Sequence, residues 1–424
     1  MKKIKVILIG AGNRGTTYTD IMLDMSEKFE VVAVAEPIDN RRENIQKRHH
    51  IPEEYCFQNW RDLLALGKIA DMAIVSTQDA QHYEPAMEAI SRKYDVLLEK
   101  PVSPNPKECV DIAQHAEECG VRVIVCHVLR YTPLFCKIKS LINDGVLGRI
   151  VTINHEECVG NVHQSHSYVR GNWGNEERSS CMLLAKSCHD LDLLQWIIGK
   201  KCKKIQSFGS LTYFKRENAP EGSPERCIDG CPVGDTCPYN SVKLYLEDKT
   251  NAWFRTTSTR TVNPTDEMVE YTLRTTQYGK CVYKCDNDVV DHQTVNMLFE
   301  DGVTAVFTMS AFNKGGRYIH IMGTKAELHA ALDEESPIRI YDFETRKELE
   351  IPIISGDGIG NGHGGGDRGI VEALYDYLNE CYTGCSISDI SVSVHNHLLV
   401  FAAEESRKDN LVVDIDKYVE GLEK

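Results

Sequence analysis

Short apolar runs alternate with charged, amphipathic stretches over the first 127 residues. "IKVILIGAG", "FEVVAVAEP", "IADMAIVSTQ", "YDVLLEKPV" and "VRVIVCHVLR" read as buried strands. Between them, the stretch from about Arg14 to Glu27, "NRRENIQKRH", "AMEAISRK" and "PKECVDIAQHAEECG" read as helices. Strands that are apolar at nearly every position, each followed by a helix, predict a parallel sheet covered on both faces.

The rhythm changes after residue 127. "TPLFCKIKSLINDG" predicts a helix, "GRIVTINHEECVG" a long strand, and "LLAKSCHDLDLLQWIIG" (183–199) a helix. Longer segments then look like antiparallel strands: "VKLYLEDKTNAWFRTTSTRTV", "QTVNMLFEDGVTAVFTMSAF" and "RYIHIMGTKAELHA", with a hairpin turn at 300–302. "RGIVEALYDYLNECY" and "DISVSVHNHLLVFAAEESRKDN" return to helix. The stretches 215–239 and 355–367 are loops by their Gly, Pro and Asp content. The expected organisation is α/β throughout, with residues 1–127 as one domain and 128–424 as the other. No internal repeat is visible.

Composition narrows the function. The formal net charge of −15 over 424 residues argues against nucleic acid or an anionic membrane as partner. No apolar run reaches the roughly 18 residues of a membrane span. The opening "MKKIKVILIGAGNRG" runs straight into a glycine motif, as a first strand does and a cleaved leader does not. Sixteen scattered cysteines then fit reduced thiols in a cytoplasmic protein.

"GAGNRG" places Gly10, Gly12 and Gly15 in G-x-G-x-x-G spacing around Asn13 and Arg14. The first glycine permits the tight turn out of the strand. The second lets a pyrophosphate approach the backbone, and the third lets the helix pack on the strand. Glu36 ends the next strand at the spacing of a ribose-binding acid. A carboxylate there accepts ribose hydroxyls and repels a 2′-phosphate, so NAD is expected rather than NADP. Arg41 and Arg42 lie close enough in sequence to blur that preference, or are surface charges of the second helix. "LLEKPV" sets Glu99 and Lys100 at the C-terminal end of a parallel strand, where open sheets bind ligands. Glu99 is expected on the cofactor side. A lysine there can steady negative charge developing on a substrate oxygen.

"GAGNRG", "AEP", "EKP", a later helix with His189 and Asp192, "GVLGRI" and "DNLVVDI" together resemble the Gfo/Idh/MocA oxidoreductases over nearly the whole chain. The resemblance implies an N-terminal Rossmann domain and a C-terminal α/β domain with a large, open, mainly antiparallel sheet. It also implies hydride transfer between a nicotinamide and a sugar, glycoside or cyclitol. By it, Lys100 touches the reacting oxygen, His189 is the general acid/base, and Asp192 holds substrate hydroxyls. Thr77, Gln78 and His82 fall where the family's loop meets the cofactor, and Arg130 with Pro133 matches the R-x-x-P that opens the second domain, with Arg130 on the cofactor side. A homodimer or homotetramer joined through the second sheet is implied as well. The family often has Asp four residues before the histidine; here that position is Ala185, with Lys186 beside it.

Lys186 and His189 would share one helix face. Lys186 could bind a substrate anion, steady an alkoxide, share the proton work of His189, or reach to the surface. "NVHQSHSYVRGNW" offers His163, His166, Tyr168 and Trp173 as a loop walling a sugar, and His363 in "GHGGGD" could reach the same place. Cys227, Cys231 and Cys237 are close enough to ligate a structural zinc, if a fourth ligand joins them. Cys202, Cys188, His163 and His166 are all open as that fourth ligand. Two other readings stand beside the dehydrogenase. One is a glycoside hydrolase that oxidises a ring hydroxyl transiently, eliminates the aglycone, adds water and restores the hydroxyl. The other is a dinucleotide-responsive regulator without catalysis.

Overall fold

The computed structural model describes residues 1–333, 336–353 and 362–422. The first sheet holds β1 (Ile4–Ile9), β2 (Phe29–Ala35), β3 (Cys56–Phe57), β4 (Met72–Val75), β5 (Asp95–Leu98) and β6 (Val123–Val125). All pair in parallel, in the order β3-β2-β1-β4-β5-β6. This is the doubly wound Rossmann order, whose crevice opens at the C-terminal strand ends near β1 and β4. Every residue of β4 is buried, as a central strand covered by helices on both faces requires.

The second sheet holds β7 (Ile150–Cys158), β8 (Cys202–Ser210), β9 (His292–Phe299), β10 (Thr304–Ser310), β11 (Gly316–Gly323), β12 (Ala326–Ala331), β13 (Ile338–Asp342), β14 (Lys347–Ile351) and β15 (Val413–Asp414). Its order is β14-β13-β12-β11-β7-β10-β9-β8-β15. All pairs are antiparallel except β7 with β10. One face packs on the helices Cys188–Ile198 and Ile390–Asp409, where Leu191, Leu194, Leu399 and Val400 meet Ile153, Val295 and Phe307. The opposite face is open and polar, with Phe208, Leu298, Tyr318 and Tyr341 exposed among its side chains.

Local chemistry sets the junction between the domains. Thr132 accepts a hydrogen bond from the amide of Phe135, and Pro133 occupies the first turn of the helix Pro133–Asn143. The R-x-x-P pattern is thus a helix start, a capping threonine followed by a proline that has no N–H to lose. The chain later crosses back. In the helix Gly366–Leu378, Ile370, Val371 and Leu374 join the Rossmann core, and Tyr375 packs edge-on against Phe29. Ile390, Val394 and Leu398 cover the other Rossmann layer. The first structural unit therefore includes C-terminal helices as well as residues 1–127.

Three expectations need correction. "VKLYLEDKTNAWFRTTSTRTV" is helical, over Val242–Glu247 and Ala252–Thr259, not stranded. Asn251 caps the second of these helices, and Tyr245 and Phe254 form a satellite core with Val269 and Leu273. "NVHQSHSYVRGNW" is not a loop: 161–170 is helical, with wide turns over Gln164–Arg170. The helix expected at 183–199 breaks into Met182–Ala185 and Cys188–Ile198. Lys186 and His189 therefore do not share one continuous helical face. Of the predicted loop at 355–367, residues 355–361 lie outside the described residues.

The helix Gly366–Leu378 docks so closely that a Cβ on Gly366 would stand 2.3 Å from the carbonyl oxygen of Val128. Gly366→Ala should lower the unfolding free energy by about 1–3 kcal/mol, as overpacking does. Urea unfolding followed by circular dichroism checks this.

Candidate functional site

The glycine loop has the geometry a dinucleotide requires. Gly10 has φ +91°, and a Cβ there would lie 2.6 Å from the Ser76 carbonyl oxygen. A Cβ on Gly15 would lie 2.2 Å from the Gly10 carbonyl oxygen. Around Gly12 the space is open, its nearest neighbour being an Arg41 Nη1 at 4.0 Å. The helix Asn13–Asp24 starts there with no side-chain cap and no acidic residue in its first turn. Its free N–H groups and positive dipole end are suited to a phosphate. The Glu36 carboxylate accepts from Ala11 N (2.7 Å) and Ile38 N (2.9 Å), which fixes it at the end of β2. These residues fit a dinucleotide.

The flanking arginines are more than surface charges. Arg42 donates to the Glu36 carbonyl oxygen at 2.7 Å, and Arg41 turns back toward Gly12. Asn13 is exposed. Arg14 is held by Glu99 (Nε to Oε1, 2.8 Å) and Asp367 (Nη2 to Oδ1, 2.7 Å). Tyr18 donates to the same Glu99 oxygen at 2.7 Å. Burial would raise the Glu99 pKa, but Arg14 and Lys100 outweigh it and hold the carboxyl below its ordinary value. Thr77 and Gln78 edge the crevice, Thr77 half-buried and Gln78 exposed. His82 does not face it. Its Nδ1 lies 2.7 Å from the Pro101 oxygen and its Nε2 3.2 Å from the Thr77 oxygen, so this buried ring joins two crevice loops.

Lys100 follows β5 and reaches across to the second domain, donating from Nζ to the Ala185 oxygen at 2.7 Å. A continuous helix would offer that carbonyl to the amide of residue 189. Its use by Lys100 gives a physical reason for the break at 186–187. His189 lies in the first turn of the next helix, buried, with Nδ1 unpartnered. Burial lowers its pKa well below the ordinary value, and Lys100 and His127 add to the effect. The ring is a neutral imidazole, able to accept a proton. The His127 ring lies 5.6 Å from His189 on one side and 5.6 Å from His397 on the other. The His363 ring is 6.4 Å from His189, and His363 is bonded through Nδ1 to Asp367 at 3.2 Å.

Asp192 and Arg130 are placed differently from the expectation. Asp192 is fully buried and takes two 2.6 Å bonds from Arg130, which is itself 2% exposed. Asn396 donates to the same carboxylate. Both side chains are spent on each other inside the protein, and together they lock the domain junction. Lys186 bonds Glu157 (3.2 Å), which also holds Arg317 at 2.5 Å. Arg317 donates to Asp190 at 2.9 Å, and His155 lies 2.8 Å from the same oxygen. Burial lowers the pKa of Lys186, with Glu157 opposing.

The cleft beside these residues is lined by Glu157, Gly160, Asn161, His163, Lys186 and Arg317, among others. Its volume of about 440 Å³ falls within the roughly 300–1,000 Å³ common for small-ligand sites. His163 lines it, edge-on to Trp253 and near Tyr168. Tyr168 is buried behind it, 6.1 Å from the Trp173 ring, whose Nε1 donates to Asp79 at 2.9 Å. His166 is not a wall residue. It stacks on Phe254 at 4.0 Å and bonds the Tyr245 hydroxyl at 2.7 Å inside the satellite core.

Sequence reasoning missed His127, Glu157, Asp190, Arg317 and Asp367. His127 follows β6 just as Lys100 follows β5, so the strand-end rule could have found it. Glu157 and Arg317 occupy the buried face of β7 and β11, and nothing local distinguishes them.

The family models agree with this architecture. Residues 4–127 match the oxidoreductase family with NAD-binding Rossmann fold, and 135–329 match the GFO/IDH/MocA C-terminal domain. The chain belongs to the Gfo/Idh/MocA family of oxidoreductases. It is 23% identical over 348 residues to YteT of Bacillus subtilis (strain 168), named as an oxidoreductase; the match covers 77% of this chain and 76% of YteT. It is 26% identical over 203 residues to 2,7-anhydro-N-acetylneuraminate hydratase of Escherichia coli (strain K12), covering 48% of this chain and 51% of that protein. The chain thus spans only about half the length of that relative. Levoglucosan dehydrogenase, solved with NADH and levoglucosan, shares the fold with a TM-score of 0.71 at 14% identity, covering 98% of this chain and all (100%) of that one. Among the described residues, no helix is long and apolar enough to cross a membrane.

Stability should depend on pH through the buried imidazoles. Burial lowers His127 to about 4, His397 to about 3 and His166 to about 3. Unfolded, each would titrate near about 6.5. Below that pH the unfolded chain binds more protons than the native one, so stability is full at neutral pH and falls as acid is added. Urea midpoints should drop between neutral pH and about pH 5, below the unfolded histidine pKa; a flat profile would contradict the neutral-imidazole assignment.

Proposed function

We propose that this oxidoreductase uses NAD to oxidise or reduce a ring hydroxyl of a sugar, glycoside or cyclitol. The observation that carries the reading is the convergence of Lys100 and His189. Lys100 Nζ, from the Rossmann domain, is bonded to the carbonyl four residues before the buried, neutral His189 of the second domain. Bound nicotinamide would take or give the hydride. The glycine loop would hold the phosphates on its N–H groups, and Glu36 would orient the adenosine ribose. Lys100 would polarise the reacting C–O bond and stabilise charge on its oxygen. His189 would take the hydroxyl proton, which a neutral ring can do and an imidazolium cannot. Lys186, tied to Glu157, would shape the cleft with His163 and Arg317 instead of moving a proton.

The hydratase relative favours one second reading, because its named reaction adds water without net electron transfer. A redox-neutral glycoside hydrolase would use the same Lys100 and His189. Incubation with nitrophenyl glycosides separates the two. Accumulating NADH without nitrophenol supports the dehydrogenase, and nitrophenol without net NADH supports the hydrolase. The unpaired cysteines support a cytoplasmic setting, and the apolar residues on the open sheet face support a homo-oligomer.

His189→Asn and Lys100→Met should each lower kcat by about 10²–10⁴-fold. NAD affinity, measured by fluorescence titration, should stay within a few-fold of wild type. Unchanged turnover in either variant would remove the site assignment. Glu36→Ala should weaken NAD about tenfold or more, as loss of a charge-assisted hydrogen bond does. It should weaken NADP less, since Arg41 remains beside Gly12.

A further inference from the structure

Among the described residues, one group of His, Cys, Asp and Glu side chains brings a ligand atom from each of three members within 4.8 Å of the others: His320, Glu327 and His329. The cysteine segment is not such a group. Cys227, Cys231 and Cys237 share the wall of a small cavity without reaching that spacing, which corrects the structural zinc expected there.

The sheet register builds the histidine group. β11 and β12 pair antiparallel, with His320 directly opposite His329 and Met322 opposite Glu327. Glu327 and His329 are two residues apart on one strand, so they point to the same side, and the opposed His320 shares it. That side is the open face, because Ile319, Ile321 and Leu328 alternate with these residues into the core. Arg317 and Glu157, which line the cleft, belong to the other side of the sheet.

The two imidazoles are nearly parallel, with ring centroids 3.7 Å apart. His320 Nε2 stands 2.8 Å from Glu327 Oε2, and His329 Nε2 3.8 Å from the same oxygen. Atoms that share a tetrahedral ion through bonds of about 2.0–2.1 Å stand about 3.4 Å from one another. The two separations straddle that value, and His329, 56% exposed at its side chain, has the freedom to close the longer one. The carboxylate has no permanent cation beside it: among the described residues its ion-pair contacts are these two rings. Arg339, opposite His329 on β13, is drawn the other way to Glu350 at 3.2 Å. Both rings line a depression of about 370 Å³ with Asn154, Glu156 and Tyr318.

We propose that His320, Glu327 and His329 bind one zinc-class divalent ion on the open face of the second sheet, through both imidazoles and the carboxylate, with water as the fourth ligand. Two nitrogen donors and one carboxylate suit zinc or a similar borderline ion, whereas calcium and magnesium take oxygen sets. The ion would clamp β11 to β12 on the side of the sheet away from the cleft. The inference does not rest on the reaction proposed above, since its readouts are zinc affinity and coordination.

Full-length protein made without a metal-affinity tag and stripped with a chelator should bind about one equivalent of zinc in calorimetric titration, and no magnesium. X-ray absorption should report two imidazoles, with oxygen completing the shell at about 2.0–2.1 Å and no sulfur. His329→Ala changes an exposed position. It should weaken zinc by about 100-fold or more, past the range for loss of a supporting group alone, with NAD affinity within a few-fold of wild type. His292→Ala, on β9 of the same sheet, should leave zinc affinity unchanged. No zinc binding, sulfur ligands in place of imidazole, or equal zinc affinity in wild type and His329→Ala would overturn the proposal.

Discussion

The pairing of Arg130 with Asp192 is the constraint on which the site depends. Both side chains are almost wholly buried, and two 2.6 Å bonds use two guanidinium nitrogens against both carboxylate oxygens. Removing one member of such a pair strands a buried charge at a cost of about 3–5 kcal/mol, whereas an apolar replacement of both is often neutral. The pair therefore matters less for total stability than for register. Arg130 leaves the last Rossmann strand, Asp192 lies one turn beyond His189, and Asn396 brings in the long C-terminal helix. Three elements from distant parts of the chain are fixed to one carboxylate. The Lys100 strand end can then meet, through a single hydrogen bond to Ala185, the break that leads into the His189 helix.

The legible part of this site was local, and the illegible part was relational. Gly10, Gly15 and Glu36 are forced by backbone contacts within one strand–helix–strand unit, so their spacing already carried their roles. Lys100 was readable from its place at a strand end. Asp192 was misplaced because its spacing from His189 gives the same helical face without saying what that face meets. Here it meets Arg130 and Asn396. His166 fell to the same ambiguity, its stack on Phe254 depending on a helix that the threonine-rich stretch Thr256–Thr259 disguised as a strand. Asn251, its cap, was the overlooked signal.

The surroundings of His189 are unusual in proton terms. His127 and His397 share its burial and are held neutral with it, His127 at about 4 and His397 at about 3. His397 has little freedom: Val102 N donates to its Nε2 at 3.0 Å, which leaves Nδ1 to donate to the Ser393 oxygen at 2.7 Å. A proton placed on His189 would enter a pocket with cationic Lys100 close by and no carboxylate bonded to the ring. Such a proton is held weakly. The neighbouring ring with access to water is His363, 40% exposed at its side chain and anchored on Asp367, which Arg14 ties to the glycine loop.

The change at position 185 gives this arrangement its direction. An aspartate there would put a second titratable group beside Lys100 and offer the proton two routes. Ala185 contributes only a backbone carbonyl, which can accept a hydrogen bond from Lys100 but cannot carry its proton away at neutral pH. Lys186, the adjacent ionisable group, is drawn off toward Glu157, and that carboxylate is shared with Arg317 and linked through it to Asp190 and His155. The charges near the cleft thus compensate one another within a closed network. Two imidazoles at the convergence point, His189 and His127, are lowered by burial and unpaired at a ring nitrogen, and the proposed proton exchange assigns the work to His189, the one that stands beside the break where Lys100 crosses between the domains.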